Sequence, residues 1–156
     1  MLLKSYENSI SEISFINSQK GKSILEDKID FSLPASPLLK KCMRQLREYF
    51  AGDRKKFDMR LTFSGSTFQR KVWDELMNIP YGKNISYLTL SKRIDNISAI
   101  RAVGAANGTN KICIVVPCHR VIGSNGSLVG YGGDLWRKKW LLDHEARITY
   151  GVRTLF

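Results

Sequence analysis

Ser86-Tyr87-Leu88-Thr89-Leu90-Ser91-Lys92-Arg93-Ile94-Asp95-Asn96-Ile97-Ser98-Ala99-Ile100-Arg101-Ala102-Val103-Gly104-Ala105-Ala106-Asn107 reads as two short helices around a tight turn. Ser86 is placed as a cap, and Tyr87, Leu90 and Ile94 follow at helical spacing. Asp95-Asn96-Ile97-Ser98 supplies the turn, and Ser98 is expected to cap a second helix through Asn107. In a basic chain, such a pair reads as a helix-turn-helix, although many helical pairs share the pattern. The second helix is slim, with Ala99, Ala102, Gly104, Ala105 and Ala106, and Arg101 is its only long charged side chain. A helix that reads base edges in the major groove would carry several polar side chains. A slim one suits close approach to a backbone or a shallow groove. Tight helix packing would use the same small residues.

Downstream, Asn107-Gly108-Thr109-Asn110 breaks the helix and leads into an apolar run, Ile112 to Val116, that ends in Pro117-Cys118-His119-Arg120. Proline restricts how the next residue is presented. A neighbouring histidine or cation favours thiolate, the nucleophilic form of cysteine. A lone cysteine is more often a core residue; the proline and the adjacent charges point instead to a reactive thiol. Gly123-Ser124-Asn125-Gly126-Ser127 is a turn, and Gly130-Tyr131-Gly132-Gly133 is a flexible loop that exposes backbone. Asp134 is expected to cap a last helix with Leu135, Trp136, Trp140 and Leu141 as its apolar face, ending at His144-Glu145. Residues 146–156 read as a short tail, in part extended.

Upstream, Ser66 and Gln69 have capping-box spacing before the stripe Phe68, Val72, Trp73, Leu76 and Ile79. Residues 2–16 read as two short strands, Gln19 to Lys22 as a turn and Ser23 to Ile29 as a candidate third strand. Ser36-Pro37 opens a helix whose expected buried face is Leu39, Met43, Leu46 and Phe50, ending at Ala51-Gly52-Asp53. Cys42 within it reads as structural, and Arg54-Lys55-Lys56 as a solvated loop. Phe57, Met59, Leu61 and Phe63 alternate in an extended link. The fold class is therefore α+β. A small N-terminal antiparallel sheet with a helix spans 1–63, and a mainly helical, winged-helix-like part with the helix-turn-helix spans 64–156.

With 156 residues, 43% hydrophobic and 25% charged, the composition is that of an ordinary globular chain. No apolar run reaches the length of a membrane span, and the N-terminus turns polar too early for a signal peptide. Three cysteines without paired spacing argue against a disulfide framework, and two histidines with no CxxC against zinc. The net charge of +11 suits a polyanionic partner, or simply a lysine-rich surface. Residues 64–156 hold 13 Lys and Arg against 6 Asp and Glu, and residues 1–63 hold 12 against 8. The half with the thiol is the more basic.

Four motifs together carry a resemblance: Pro117-Cys118-His119-Arg120-Val121, Ile100-Arg101-Ala102-Val103-Gly104, Ile85-Ser86-Tyr87, and Trp140-Leu141-Leu142 with Glu145 three residues on. Over about residues 64 to 145 the chain resembles the O6-alkylguanine-DNA alkyltransferases, the methylated-DNA–protein-cysteine methyltransferases. Tyr49-Phe50-Ala51-Gly52 is similar to the end of that family's N-terminal helix.

The resemblance implies direct-reversal repair. Cys118 would take an alkyl group once from O6 of guanine, with O4 of thymine a further candidate. His119, through a water, and Glu145 would remove the thiol proton. Glu145 beside the imidazole would favour its cation, and that in turn the thiolate. Asn110 would brace the turn before the active-site run. Tyr87 would rotate the target's 3′ phosphate and donate its phenolic proton toward guanine. Arg101 would fill the gap in the base stack while Ala102 and Ala105 lie in the minor groove, with Ser98 and Arg120 as further DNA contacts. Pro117, Val121, Tyr131, Gly132 and Gly133 would wall the base pocket.

The implied partner is double-stranded DNA carrying O6-alkylguanine, bound by a monomer in a bacterial or archaeal cytoplasm, at the nucleoid when on DNA. No membrane, metal or organic cofactor is called for. Lys111 stands where the family usually has proline, and Cys113 where many relatives have no thiol. Two other readings compete. A helix-turn-helix sensor of alkylated DNA without transfer activity would replace the nucleophile. A thiol redox or hydrolytic enzyme would leave Arg101 and the slim helix unexplained.

Overall fold

The structure, a computed structural model, describes residues 1–18 and 35–151. The candidate strand at 23–29, the turn before it and the end of the tail lie outside the described residues. The fold is α+β, as expected.

Strands β1 (Leu2–Tyr6) and β2 (Ser9–Ser14) pair antiparallel, with Leu3 opposite Ile13 and an irregularity between Lys4 and Ser5. Ile10 and Ile13, three residues apart, both turn into the core because that irregularity adds one residue to β2 between them and resets the alternation. The other edge of β2 organises the molecule. Ile10 N–H donates to the Arg60 carbonyl at 2.8 Å and its carbonyl accepts from Thr62 N–H at 2.9 Å. Ile13 N–H donates to the Lys111 carbonyl and Cys113 N–H to the Ile13 carbonyl, both at 2.8 Å. One strand thus holds both the extended 57–63 link and the start of the apolar run that leads to Cys118.

Helix α1 (Pro37–Ala51) begins as the Ser36-Pro37 pair dictates: Ser36 Oγ accepts from Leu39 N–H at 3.2 Å, and Gly52, at φ +92°, ends the helix in the left-handed conformation. Its buried face differs from the expected stripe. Cys42, Gln45, Leu46 and Tyr49 are buried, whereas Met43 and Phe50 are exposed. The reason is polar. The Gln45 carboxamide donates to the Asp58 carbonyl (3.1 Å) and accepts from Asp58 N–H (2.9 Å), and Tyr49 finds a buried acceptor. With their hydrogen bonds satisfied, both can go inside at little cost. Cys42 is the structural residue expected, its thiol pushed up to about 11 by burial.

Helix α2 (Thr67–Met77) has the full capping box between Ser66 and Gln69. It buries Val72, Trp73 and Leu76, and Trp73 Nε1–H donates to the Ala106 carbonyl at 2.9 Å. Helix α3 (Tyr87–Arg93) is capped by Ser86 as expected. The cap expected of Ser98 is absent: it lies within a 3₁₀ turn, Ile97–Ala99, and its hydroxyl donates to Asn96 Oδ1. Helix α4 (Ile100–Gly108) follows without a side-chain cap. It buries Val103, Ala106 and Asn107 and exposes Arg101, Ala102 and Ala105. A two-residue parallel pairing joins β3 (Ile85–Ser86), at the head of α3, to β4 (Val121–Ile122), just after the Cys118 turn.

Helix α5 (Leu135–Tyr150) runs past the expected end at Glu145 into what read as tail, and Gly151 terminates it at φ +71°. Asp134 precedes it but makes no side-chain cap; its carboxylate pairs with Arg137 at 2.9 Å. Leu135, Trp136 and Trp140 are exposed, and the inward face is Lys138, Leu141, Leu142, His144, Glu145 and Ala146. Half of that face is polar because α5 delivers charged groups to the site. Among the described residues no helix is long and apolar enough to cross a membrane.

Candidate active site

Residues 110–118 fold around one carboxamide. Asn110 Nδ2 donates to the Val116 carbonyl at 2.9 Å, to the Ile112 carbonyl at 3.5 Å and to Cys118 Sγ at 3.1 Å, while Oδ1 accepts from Ile112 N–H. Two γ-turns tighten the path. Val115 N–H reaches back to the Cys113 carbonyl at 2.9 Å around Ile114, and Cys118 N–H to the Val116 carbonyl at 2.8 Å around Pro117. Ile114 sits at φ +74°, a strained conformation for a β-branched residue, of order 1–3 kcal/mol. The strain fits a loop held by everything around it. Proline suits the second turn, at φ −83°.

The cysteine that this wrap presents is buried, with Asn110 Nδ2 3.1 Å from its Sγ. The Cys113 thiol, the Asn110 carboxamide and the Lys138 ammonium outweigh desolvation and hold the Cys118 thiol below its usual range. Cys113, whose thiol shares that hydrogen bond, is pushed well up in turn, with burial adding to the effect. Lys138 is itself buried, and desolvation brings its ammonium down to about 8.

His119, fully buried, hydrogen-bonds through Nε2 to Glu145 Oε1 at 2.8 Å. Burial lowers the imidazole below its usual value, and Arg120 and Lys138 add to this, so that attraction by Glu145 does not compensate. The expected imidazolium is therefore not the resting form. His119 rests neutral, with its proton on Nε2 facing the carboxylate and Nδ1 left as an acceptor. Among the described residues Nδ1 has no hydrogen-bond partner. The thiolate owes its stabilisation to Cys113, Asn110 and Lys138 rather than to a cationic neighbour.

Glu145 accepts five hydrogen bonds. Oε1 takes Tyr49 Oη–H (2.8 Å), His119 Nε2–H (2.8 Å) and Arg120 Nη2–H (2.9 Å); Oε2 takes Arg120 Nε–H (2.9 Å) and Gly82 N–H (3.0 Å). Burial alone would raise this carboxyl, but His119 and Arg120 together hold it far below the ordinary carboxylate range. Arg120, expected on DNA, is instead buried here, with Nη1–H donating to the Ile79 carbonyl at 2.6 Å. A guanidinium committed to a buried carboxylate leaves no donor fork for phosphate.

Tyr87 approaches from the head of α3. Its hydroxyl donates to the Val129 carbonyl at 3.2 Å and accepts from Asn107 Nδ2 at 3.3 Å, and the same Nδ2 lies 3.4 Å from the Cys118 carbonyl. Burial, with the Cys118 charge, pushes Tyr87 up to about 12, so it keeps its proton. Lys138 Nζ donates to the same Val129 carbonyl at 2.7 Å, and this pins the 129–133 loop from a second side. Tyr131 is half-buried against Phe15, and Gly133 is buried: a Cβ there would lie 2.5 Å from the Phe15 ring. The glycine expected to wall the base pocket thus lets the loop approach the protein's own aromatic ring. Pro117 and Val121 are buried beside the cysteine turn, and Gly132 is half-buried. Arg101, Ala102 and Ala105 stand apart from this cluster on the exposed side of α4, with Ser98 exposed just before it.

The family model described as 6-O-methylguanine DNA methyltransferase, DNA binding domain, matches residues 67–147, and the corresponding ribonuclease-like domain matches 6–63. The chain belongs to this methyltransferase family. A methylated-DNA–protein-cysteine methyltransferase of Methanosarcina acetivorans is 44% identical over 133 residues, covering 85% of each chain. One of Mycolicibacterium paratuberculosis is 53% identical over 114 residues, covering 73% of this chain and 69% of the relative. Among solved structures, Mycobacterium tuberculosis OGT in complex with DNA superposes with a TM-score of 0.79 at 38% identity, covering 94% of this chain and 86% of that one.

In this family member, sequence reasoning brought Cys118, His119, Glu145, Asn110 and Tyr87 to one site. It passed over Tyr49, Asn107 and Lys138, and noted Cys113 only as a departure. Lys138 was concealed in a run of basic residues, Arg137-Lys138-Lys139, of which it alone is fully buried. Asn107 read as a helix breaker. The spacing Trp140-Leu141-Leu142 to Glu145 fixes the helix phase, and counting back one turn from Leu142 places Lys138 on the inward face.

Proposed function

We propose that this chain repairs alkylated DNA by moving the alkyl group from O6 of guanine to Cys118, once per molecule. The reading rests on one observation above all: a buried cysteine sulfur held below its usual pKa, beside a neutral histidine that a fully bonded carboxylate orients. This is the arrangement that activates a thiol nucleophile. The names of the relatives agree with it.

The steps follow from the groups present. An O6-alkyl group cannot be reached inside a duplex, so the nucleotide leaves the stack. Arg101, exposed at the start of α4, fills the space, and the Ala102 and Ala105 face lets the minor groove approach the helix closely. His119 Nδ1 takes the thiol proton through a water, and the charge that forms on the imidazole is balanced by Glu145. The thiolate attacks the alkyl carbon in line; the carbon–sulfur bond forms as the carbon–oxygen bond breaks. Tyr87, its phenol pushed up to about 12 and so protonated at neutral pH, donates to the departing guanine, the usual contribution of a positioned acid. The thioether formed is not reversed by any side chain in the site, so the protein is consumed. The substrate is double-stranded DNA, met by a monomer in the cytoplasm. Residues 64–156 bind and react, and residues 1–63 support them.

The experiment is intact mass measured after mixing with an O6-methylguanine duplex. One methyl group gained, mapped to Cys118 by peptide analysis, is the expected result. Cys118→Ser should gain none while still binding the duplex. Methylation of the serine variant would refute the assignment. Unchanged mass of the wild type with DNA binding retained would favour a sensor of alkylated DNA.

A further inference from the structure

The carboxylate that orients His119 is completed from outside the DNA-binding half. Tyr49 lies on the last turn of α1, in the N-terminal part of the chain, 96 residues from Glu145 in sequence. Its side chain is fully buried, and its hydroxyl donates to Glu145 Oε1 at 2.8 Å, the same oxygen that accepts from His119 Nε2. A packing role needs only the ring, which already meets Phe50, Phe57, Tyr81 and His144. The backbone is tied as well: the Tyr49 carbonyl is 2.9 Å from His144 Nε2, one residue before Glu145 on α5. Both ends of Tyr49 are therefore anchored to the same turn of α5. The hydroxyl points at the carboxylate oxygen that bonds His119 Nε2.

We propose that Tyr49 is a positioning residue of the transfer reaction, and that through its hydroxyl the N-terminal part of the chain sets the orientation and basicity of His119. This rests on the His119–Glu145 relay proposed above. The physical argument is a sharing of charge. Each donor on Oε1 draws off part of the carboxylate's negative charge and weakens its pull on a proton at His119. With Tyr49 in place, the imidazole stays neutral and available as a base. Without it, the charge on Oε1 concentrates toward His119 Nε2, the imidazolium becomes more stable, and the base is occupied up to a higher pH. The other groups facing this pair are Arg120 on Glu145, Lys138 near His119, and the neutral Tyr81 near Glu145. The hydrogen bonds of Arg120 and Lys138 go to Glu145, Ile79 and Val129, and none of them involves the phenol oxygen. Burial, with the charge of Glu145, pushes the Tyr49 phenol well above its usual value, so it remains a donor throughout the working range.

Tyr49→Phe keeps the ring and deletes the oxygen. The measurement is the single-turnover rate of methyl gain at Cys118, by intact mass, across a pH series from mildly acidic to mildly alkaline. Wild type, Tyr49→Phe and Glu145→Gln are compared, each with its thermal midpoint. For Tyr49→Phe the rate at neutral pH should fall roughly fivefold to tenfold, less than the 10²–10⁴ attributable to the base itself. The acid limb of its rate profile should move to higher pH. A role in packing alone would lower the thermal midpoint and leave the limb where it is, and that result overturns the proposal. If Tyr49→Phe matches the wild type in rate and limb while Glu145→Gln is slow, the relay stands and the role of Tyr49 falls. If Glu145→Gln reacts at the wild-type rate, the relay itself is refuted and the inference with it.

Discussion

Cys113 shows how far one side chain can bear on the Cys118 thiol proposed as the nucleophile. Its hydrogen bond is the largest of the effects that lower the Cys118 thiol, ahead of Asn110 and Lys138. Its position is enforced by backbone rather than by packing: its N–H is held by β2, and its carbonyl closes the γ-turn at Ile114. Removing the donor should raise the Cys118 pKa, so that less thiolate exists at neutral pH. Cys113→Ala is therefore expected to shift the pH midpoint of Cys118 alkylation by iodoacetamide upward. Cys113→Ser, which restores a donor, should bring it back toward the wild type. An alanine variant with an unchanged midpoint would mean that Asn110 and Lys138 suffice.

Among the elements, those whose ends and faces are set locally were legible. Ser36-Pro37 and Gly52 bound α1, the Ser66–Gln69 box opens α2, and Ser86 caps α3, all as their residue types require. Misreadings arose where distant partners decide. The inward faces of α1 and α5 carry Gln45, Tyr49, Lys138, His144 and Glu145, each hydrogen-bonded to a residue at least nine positions away in the chain. Hydrophobic periodicity cannot register a buried polar group whose partner has yet to be folded against it. It therefore favoured Met43, Phe50, Trp136 and Trp140, which are exposed. The Pro117–Arg120 motif announced the proposed nucleophile, but of the groups that support its sulfur only Asn110 and Cys113 lie in the run before it, and Lys138 arrives from α5. Helix α4 was read correctly as slim, and this yields a test at the same scale. Ala105→Leu adds bulk to the exposed face without touching the core. Stability should change by no more than about 0.5 kcal/mol. Affinity for duplex DNA, followed by fluorescence anisotropy at fixed salt, should fall severalfold. Undiminished affinity would take α4 off the DNA.

Across the whole molecule, Glu145 gathers α1 through Tyr49, the Pro80–Lys83 turn through Gly82, and the cysteine turn through His119 and Arg120. This concentration of buried charge makes stability depend on pH in a definite sense. The folded His119 is held below its unfolded value of about 6.5, so below that pH the unfolded chain binds a proton that the native state refuses, and stability declines. The folded Glu145 carboxyl lies far below its unfolded value of about 4.3; its contribution is complete above that pH and is lost as acid overtakes it. Both effects act in the same direction, in sequence. The thermal midpoint should first decline as pH falls below about 6.5, then drop more steeply below about 4.3. His119→Gln, which removes the titrating imidazole but retains a donor toward Glu145, should flatten the first stage and, because His119 helps to hold the Glu145 carboxyl down, weaken the second without abolishing it. Thermal unfolding by circular dichroism at stepped pH measures both, and a midpoint that holds steady or rises from pH 6.5 to 4.3 would mean that the buried imidazole is not kept neutral by the fold.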